Sequence, residues 1–178
     1  MLQAPVKPVP GIQLEQQPQA VLFAILLVAE AANDGEPGMG AVAQVVINRL
    51  KTPARFGRTI REVILQPWAF SSVMPSRGSY VNPLYGKLLD LYETDARSYA
   101  KAEEIVAQAM AGALADTVGP STHYCTNGAH GTLALWGHDD AEWIAQGHHP
   151  RWYSKQCIEA GITKLCAVIG RQTFGVTA

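Results

Sequence analysis

Apolar residues recur along the chain in three runs that predict helices. The first run, residues 20–29, has ten apolar residues in succession and ends at Glu30. The second, residues 37–50, carries valines and a leucine at near-helical spacing. The third, residues 94–114, is the most clearly amphipathic, because its apolar residues return at steps of three and four. We expect Thr94 to cap this third helix, which would serve as scaffold without chemistry.

Turn-forming residues separate these runs. Asn33-Asp34-Gly35 predicts a break after the first helix, and Gly35 can adopt the left-handed conformation that ends a helix. Pro37 suits the first turn of the next helix, because its missing N–H costs nothing there. A shorter helix is predicted over residues 59–65, where Gln66-Pro67 would stop it.

The two ends of the chain differ from its middle. Residues 1–18 are rich in proline and glutamine and cannot form a helix or a packed core by themselves. We interpret them as a disordered terminus or, alternatively, as a linker or docking tail. Residues 164–169 and 173–176 predict two short strands around Gly170, and residues 76–82 predict a polar loop. The predicted fold is therefore mainly α (α+β), with one domain over residues 19–178 and a short C-terminal β-hairpin.

Composition narrows the class of protein. The chain has 178 residues, 48% of them apolar, which is enough for one domain with a sizeable core. With a net charge of −1, the chain has no overall electrostatic attraction to nucleic acid or to a membrane. The first apolar run is shorter than the ~20 residues that a membrane-spanning helix needs. Three cysteines imply no disulfide scaffold.

Glu30 is the candidate for chemistry. A carboxyl beside apolar surface loses hydration, so its pKa rises and it can stay protonated near neutral pH, as a general acid must. An alternative is that Glu30 points to solvent on the wet side of an amphipathic helix. A signal peptide is a weaker alternative, because the segment before the apolar run is a poor match to a basic leader.

Glu36 has a different environment from Glu30. It sits at the predicted positive end of the second helix, which stabilises a negative charge. We therefore interpret Glu36 as a support for the site. Five basic residues and no acid lie between Glu36 and Glu62, which could attract the carboxylates of peptides, although a solvated basic loop explains them as well. This stretch lacks the interleaved aromatic residues of a nucleic-acid site.

Several short segments in this order resemble the SleB-type cell wall hydrolases, the spore-cortex-lytic enzymes and their relatives. Ala29-Glu30-Ala31, Gly35-Glu36-Pro37 and the run from Gly40 to Arg49 resemble the first block of the family pattern. Three later segments resemble the family's shorter blocks: Val63 to Ser71, Ser121-Thr122-His123-Tyr124, and Ile169 to Phe174.

The resemblance implies a lysozyme-like, goose-lysozyme-type domain that cleaves the glycan strands of peptidoglycan, with Glu30 as the catalytic acid. It also implies roles in substrate binding for six further residues: Glu36, Gln66, Phe70, Ser71, His123 and Tyr124. From the sequence alone, Phe70 could equally be a plug in the core. No cofactor and no metal are implied.

The last third of the chain departs from the family. All five histidines and all three cysteines lie between His123 and Cys166, but without the spacing of a zinc motif. Residues 127–149 form an insertion relative to the family, with a candidate helix over residues 139–146. The segment Arg171-Gln172-Thr173 lacks the family's usual histidine.

With one buried carboxyl, a lytic transglycosylase that leaves 1,6-anhydro-muramic ends is the favoured function. A hydrolytic muramidase, a zinc-dependent amidase, and an inactive structural tail or virion protein on the same fold are alternatives. Since no convincing secretion signal is present, we expect a phage virion-associated lysin or an endolysin released to the cell wall. Phage tail or other virion proteins would then be partners, through residues 1–18 or 127–149.

Overall fold

The structure of the chain is a computed structural model that describes residues 6–67, 69–77, 80–126 and 162–177. The chain forms two compact units, Met1–Asp116 and Thr117–Ala178. The described part of the first unit is helical apart from one small hairpin. Its α-helices are α1 (Gln19–Ala31), α2 (Gly35–Leu50), α3 (Pro53–Phe56), α4 (Ile60–Leu65), α5 (Leu91–Thr94) and α6 (Ala96–Met110). Four 3-10 turns lie between or before them, at Leu14–Gln16, Ala32–Asp34, Ser71–Val73 and Tyr85–Asp90.

Helix α1 is the centre of the first unit. Every residue from 21 to 27 is at most 1% exposed, so the helix is buried on all sides rather than on one face. It packs against α2, α4 and α6. Each large apolar side chain buried here contributes roughly 1.5–3 kcal/mol. The apolar run predicted this helix correctly, and its burial explains why the run is uninterrupted.

The junction between α1 and α2 is tight. Gly35 has φ +66° and ψ −159°, so the positive φ predicted for it is confirmed, although ψ lies outside the left-handed helical region. Helix α2 begins at Gly35 rather than at Pro37. At Gly38, a Cβ atom would lie 2.4 Å from the Cβ of Asp34, so only glycine allows this approach. The end of α1 and the start of α2 are therefore fixed relative to each other.

The short helix α4 confirms the prediction for residues 59–65. Thr59 forms a capping box with Glu62: the Glu62 N–H donates to Thr59 Oγ1 at 3.1 Å, and the Thr59 N–H donates to Glu62 Oε2 at 3.2 Å. The helix ends at Leu65, before Gln66-Pro67. A reciprocal cap lets so short a helix form.

Helix α6 is shorter than the sequence predicts. It spans Ala96–Met110, and its N-cap is Asp95, whose side chain accepts from the Ser98 N–H at 3.3 Å. The prediction of Thr94 as the cap is wrong, because Thr94 ends α5 and its hydroxyl donates to the Asp90 carbonyl. The apolar period alone could not separate the two helices.

The described part of the N-terminal segment is held against its own helices, so the expectation of a disordered terminus is wrong for residues 6–18. The Tyr99 hydroxyl donates to the Val6 carbonyl at 3.1 Å. The side chain of Gln17 is fully buried, and Arg61 donates to the Gln17 carbonyl at 2.6 Å. Hydrogen bonds to the backbone of the segment, together with the buried side chain of Leu14, hold it in place, and composition does not reveal such partners. The domain boundary at residue 18 stays a prediction.

Strands occur in both units. In the first, β1 (Ser76–Arg77) pairs with β2 (Tyr80–Val81), so the predicted polar loop contains a small hairpin. In the second, β3 (His123–Thr126), β4 (Ile162–Ile169) and β5 (Gln172–Thr177) form an antiparallel sheet in the order β3-β5-β4. The predicted C-terminal hairpin is confirmed as β4 and β5, with Gly170 at φ +56° in the turn. The third strand, β3, was not predicted.

Residues 127–149, with the helix predicted at 139–146, lie outside the described residues, as do Cys157 and most of the histidines. Across the described ranges, no helix is both long enough and apolar enough to cross a membrane. In the same ranges, no group of three or more His, Cys, Asp or Glu side chains is placed to hold a metal ion.

Candidate active site

Glu30 lies in the last turn of α1, where the helix leaves the core. Its neighbours Val28 and Ala31 are buried, whereas Glu30 itself is half-buried. The carboxyl is thus neither sealed in the core nor fully exposed, an outcome between the two alternatives that the sequence left open. A group that must meet a substrate and still be shielded from bulk water needs such a position.

Ser72 holds the Glu30 carboxyl through two donors. The Ser72 N–H donates to Glu30 Oε1 at 3.1 Å, and the Ser72 hydroxyl donates to the same oxygen at 2.5 Å. Both donors come from one residue of the 3-10 turn Ser71–Val73, so the position of this turn determines both hydrogen bonds. Oε1 of Glu30 thus accepts two hydrogen bonds from one residue, which orients the carboxyl group.

Glu36 forms an ion pair with a residue of helix α6. It lies in the first turn of α2, as predicted, and its carboxylate is 3.4 Å from Lys101 Nζ on α6. Lys101 Nζ also lies 2.8 Å from the Glu104 carboxylate. Both carboxylates raise the pKa of Lys101, and Glu104 has the larger effect. The side chains of Lys101 and Glu36 are 38% and 63% exposed, so this ion pair at the surface contributes little to stability. A role of Glu36 in substrate binding stays a prediction.

Phe70 is a core residue. Its ring is 1% exposed and lies 4.6 Å from the guanidinium carbon of Arg49. Arg49 is itself buried, lies over Phe56 at 5.3 Å, and donates to the Ala69 carbonyl at 3.4 Å. The structure therefore favours the core plug over a ring that lines a sugar cleft. It also makes Arg49 a structural cation rather than part of a basic surface.

Two other predicted residues lie near this region of the chain. Gln66 is half-buried, and its side-chain N–H donates to the Arg55 carbonyl at 2.9 Å, which ties α4 to the end of α3. Ser71 is exposed, whereas its neighbour Ser72 is half-buried and donates to Glu30. Substrate contacts by Gln66 and Ser71 stay predictions.

His123 and Tyr124 belong to the second unit. Both are half-buried in β3, where Tyr124 is opposite Phe174 and their ring centroids are 5.6 Å apart. His123 Nδ1 is 2.9 Å from the Thr122 hydroxyl. Tyr124 is thus supported by packing on its own sheet, and its predicted hydrogen bond near Glu30 or the sugar stays a prediction.

Ser72, which donates two hydrogen bonds to Glu30, was not among the site residues predicted from the sequence. Ser71 and Ser72 are adjacent in a loop without a helical or strand period, so no pattern shows which serine faces Glu30. The turn conformation decides the matter, because it exposes Ser71 and turns Ser72 inward.

A half-buried carboxyl at the exit of a buried helix, held by two donors from one residue, has the surroundings that a general acid–base group requires. The fold is that of two solved catalytic domains. The catalytic domain of the germination-specific lytic transglycosylase SleB from Bacillus anthracis matches at 19% identity over 94% of this chain and 99% of that domain, with a TM-score of 0.50. The catalytic domain of the Bacillus cereus SleB protein matches at 20% identity over 95% of each chain, also with a TM-score of 0.50. The predicted lysozyme-like fold is thereby confirmed.

The chain belongs to the Cell Wall Hydrolase family, whose profile matches residues 33–160. It is therefore an enzyme that degrades bacterial cell wall, with peptidoglycan as the substrate class. This confirms the resemblance seen in the sequence. The matched region includes Ser72 but begins just after Glu30. No curated protein matches the sequence.

Proposed function

We propose that this cell wall hydrolase is a lytic transglycosylase that cleaves the β-1,4 bond between N-acetylmuramic acid and N-acetylglucosamine. The observation that carries the proposal is the Glu30 carboxyl, half-buried at the end of α1 and held on one oxygen by both donors of Ser72. This arrangement supplies one oriented carboxyl, and a lytic transglycosylase needs only one.

In the first half of the reaction, protonated Glu30 gives its proton to the glycosidic oxygen as the bond to muramic C1 breaks. The leaving N-acetylglucosamine thereby gains a hydroxyl, and Glu30 becomes a carboxylate. Donors already in place stabilise that new charge without reorganisation, which is the contribution expected of Ser72.

In the second half, the Glu30 carboxylate takes the proton of the muramic C6 hydroxyl. The C6 oxygen then bonds to C1, which closes the 1,6-anhydro ring and returns Glu30 to its acid form. No water is consumed, so the proton balance closes within Glu30 and the two sugars.

Hydrolytic glycosidases use a second carboxyl, about 5–5.5 Å from the first in retaining enzymes and about 6.5–9.5 Å in inverting ones. Glu36, in the first turn of α2, is the candidate for that second carboxyl. Its ion pair with Lys101 on α6 gives it a structural partner instead, which favours the one-carboxyl mechanism. A muramidase would require Glu36 to hold a water molecule across the cleft.

Digestion of purified peptidoglycan, with fragments identified by mass spectrometry, tests the proposal. Wild type should release anhydro-muramic ends, and Glu30→Gln should release none. Glu36→Gln should retain the anhydro products, with Glu104→Gln as the matched control, because it removes the other carboxylate on Lys101. Reducing muramic ends that disappear in Glu36→Gln would establish a muramidase, and cut peptides with intact glycans would establish an amidase.

A phage origin is a separate proposal. A virion-associated lysin or an endolysin would act on the wall from a particle or after release into the host, and its partners would be tail or other virion proteins. The compact size of the chain, 178 residues, supports this proposal. Antibodies raised against the chain should detect it in purified particles, and their failure to do so would leave only the endolysin.

A further inference from the structure

The turn that presents Ser72 to Glu30 has weak support of its own. It is a 3-10 turn of three residues, Ser71–Val73, and its closing bond, from the Met74 N–H to the Ser71 carbonyl, is long at 3.4 Å. So short a turn does not fix a catalytic geometry by itself. A second element must hold Ser72 in place.

The side chain of Asn82 forms hydrogen bonds with the backbone of that turn. Its side-chain amide Nδ2 donates to the Ser72 carbonyl at 2.7 Å, to the Met74 carbonyl at 3.1 Å and, at the limit, to the Ser71 carbonyl at 3.5 Å. The side-chain oxygen accepts from the Leu84 N–H at 3.0 Å. The residue is 8% exposed, so these bonds are shielded from water.

The backbone of Asn82 adds to this hold. Its N–H donates to the Pro75 carbonyl at 2.9 Å, and its carbonyl accepts from the Tyr85 N–H at 3.3 Å. One residue thus links the turn at 71–75 to the 3-10 turn Tyr85–Asp90. Loss of the side chain would leave carbonyls of the turn without their buried donor, which costs about 1–3 kcal/mol for each unsatisfied group.

We propose that Asn82 is a positioning residue for the Glu30 carboxyl and acts through Ser72. This inference rests on the proposed function. Ser72 is held from two sides: its carbonyl accepts from Asn82, while its N–H and hydroxyl donate to Glu30. The backbone dihedral angles of Ser72 are thereby restricted, and both donors stay aimed at one carboxyl oxygen. The arrangement forms one relay from Asn82 to Ser72 to Glu30.

The test is a double-mutant cycle on turnover of a soluble glycan substrate. Asn82→Ala should lower kcat by about 10- to 100-fold with little change in KM, because misplacing a reacting group by about 1 Å costs rate rather than binding. In a Ser72→Ala background, Asn82→Ala should lower kcat by clearly less than it does in the wild-type background, because the hydroxyl donor is already lost and only the backbone N–H of residue 72 is left to be misplaced. Asn82→Ser keeps one hydrogen-bond donor and should give an intermediate loss of kcat. This variant replaces Asn82→Ala in the test if the alanine variant does not fold.

Gln17 supplies the matched control. It is also a buried amide that clamps a loop: Nε2 donates to the Val9 carbonyl at 2.9 Å and the Ile12 carbonyl at 3.2 Å, and Oε1 accepts from the Val9 N–H at 2.7 Å. Gln17→Ala should lower the melting temperature by an amount similar to Asn82→Ala, but leave kcat within about twofold of wild type. A general loss of stability would affect both variants alike.

The outcomes separate the inference from the function on which it rests. Glu30-dependent cleavage with unchanged kcat in the folded Asn82 variants would overturn the inference alone. A loss in Asn82→Ala that adds in full to that of Ser72→Ala would also overturn it. Equal activity of wild type and Glu30→Gln would overturn the proposed function and the inference together.

Discussion

Removal of the Ser72 hydroxyl is the most direct test of the site. In Ser72→Ala, Glu30 Oε1 loses the donor at 2.5 Å and keeps the backbone N–H at 3.1 Å. The lost bond matters most after Glu30 has given up its proton, because a hydrogen bond to a carboxylate is stronger than one to a neutral acid. The effect should therefore fall on kcat rather than on KM.

The magnitude follows from the strength of such a bond. Hydrogen bonds to charged groups contribute about 1.5–3 kcal/mol, and Glu30 is only half-buried, so water can replace part of the donor. We take the lower part of that range, which corresponds to a fall in kcat of about 10- to 30-fold. Stability should change little, because the backbone donor remains.

The assay is release of soluble fragments from purified peptidoglycan, followed over time with the fragments identified by mass spectrometry. Ser71→Ala is the comparison variant, because Ser71 is the neighbour that the sequence favoured and its side chain is exposed. We expect its kcat to fall far less than that of Ser72→Ala. A kcat within twofold of wild type in Ser72→Ala, or a larger loss in Ser71→Ala, would refute the assignment of Ser72 to the carboxyl.

Three further predictions concern stability. Gly38→Ala should lower the free energy of unfolding by about 1–3 kcal/mol, because the new Cβ would lie 2.4 Å from the Cβ of Asp34. Gly40→Ala on the same helix meets nothing within 4 Å and should raise the free energy of unfolding by about 0.5–1 kcal/mol. Equal effects of the two substitutions in denaturant titrations would contradict the close approach at Gly38. Thr59→Ala removes the cap of α4 and should cost about 0.5–2 kcal/mol in the same titration. Burial raises the pKa of Tyr99 above its ordinary value of 10.0, so its contribution to stability is present below about pH 10 and is lost as the pH rises further. Tyr99→Phe should flatten the fall in stability at alkaline pH, and an unchanged slope would show that another group is responsible.

The sequence determined the helical frame and singled out Glu30 as the candidate acid. An uninterrupted apolar run must be buried on all sides, so the position and type of α1 followed from hydrophobic burial alone. Glu30 stood out because a carboxyl at the end of such a run is unusual, and the turn at Gly35 followed from the conformational freedom of glycine. These are local properties that one stretch of residues can express.

Only the tertiary structure decided what holds Glu30 in place. The donors of Ser72 come from a turn 42 residues away, and that turn depends on Asn82, ten residues further along the chain. Contacts between irregular segments have no period, so no sequence pattern signals them. The burial of Phe70 beneath Arg49 likewise depends on how separate elements pack. The apolar pattern placed Glu30 at the end of α1, whereas long-range hydrogen bonds that form only in the folded chain orient its carboxyl group.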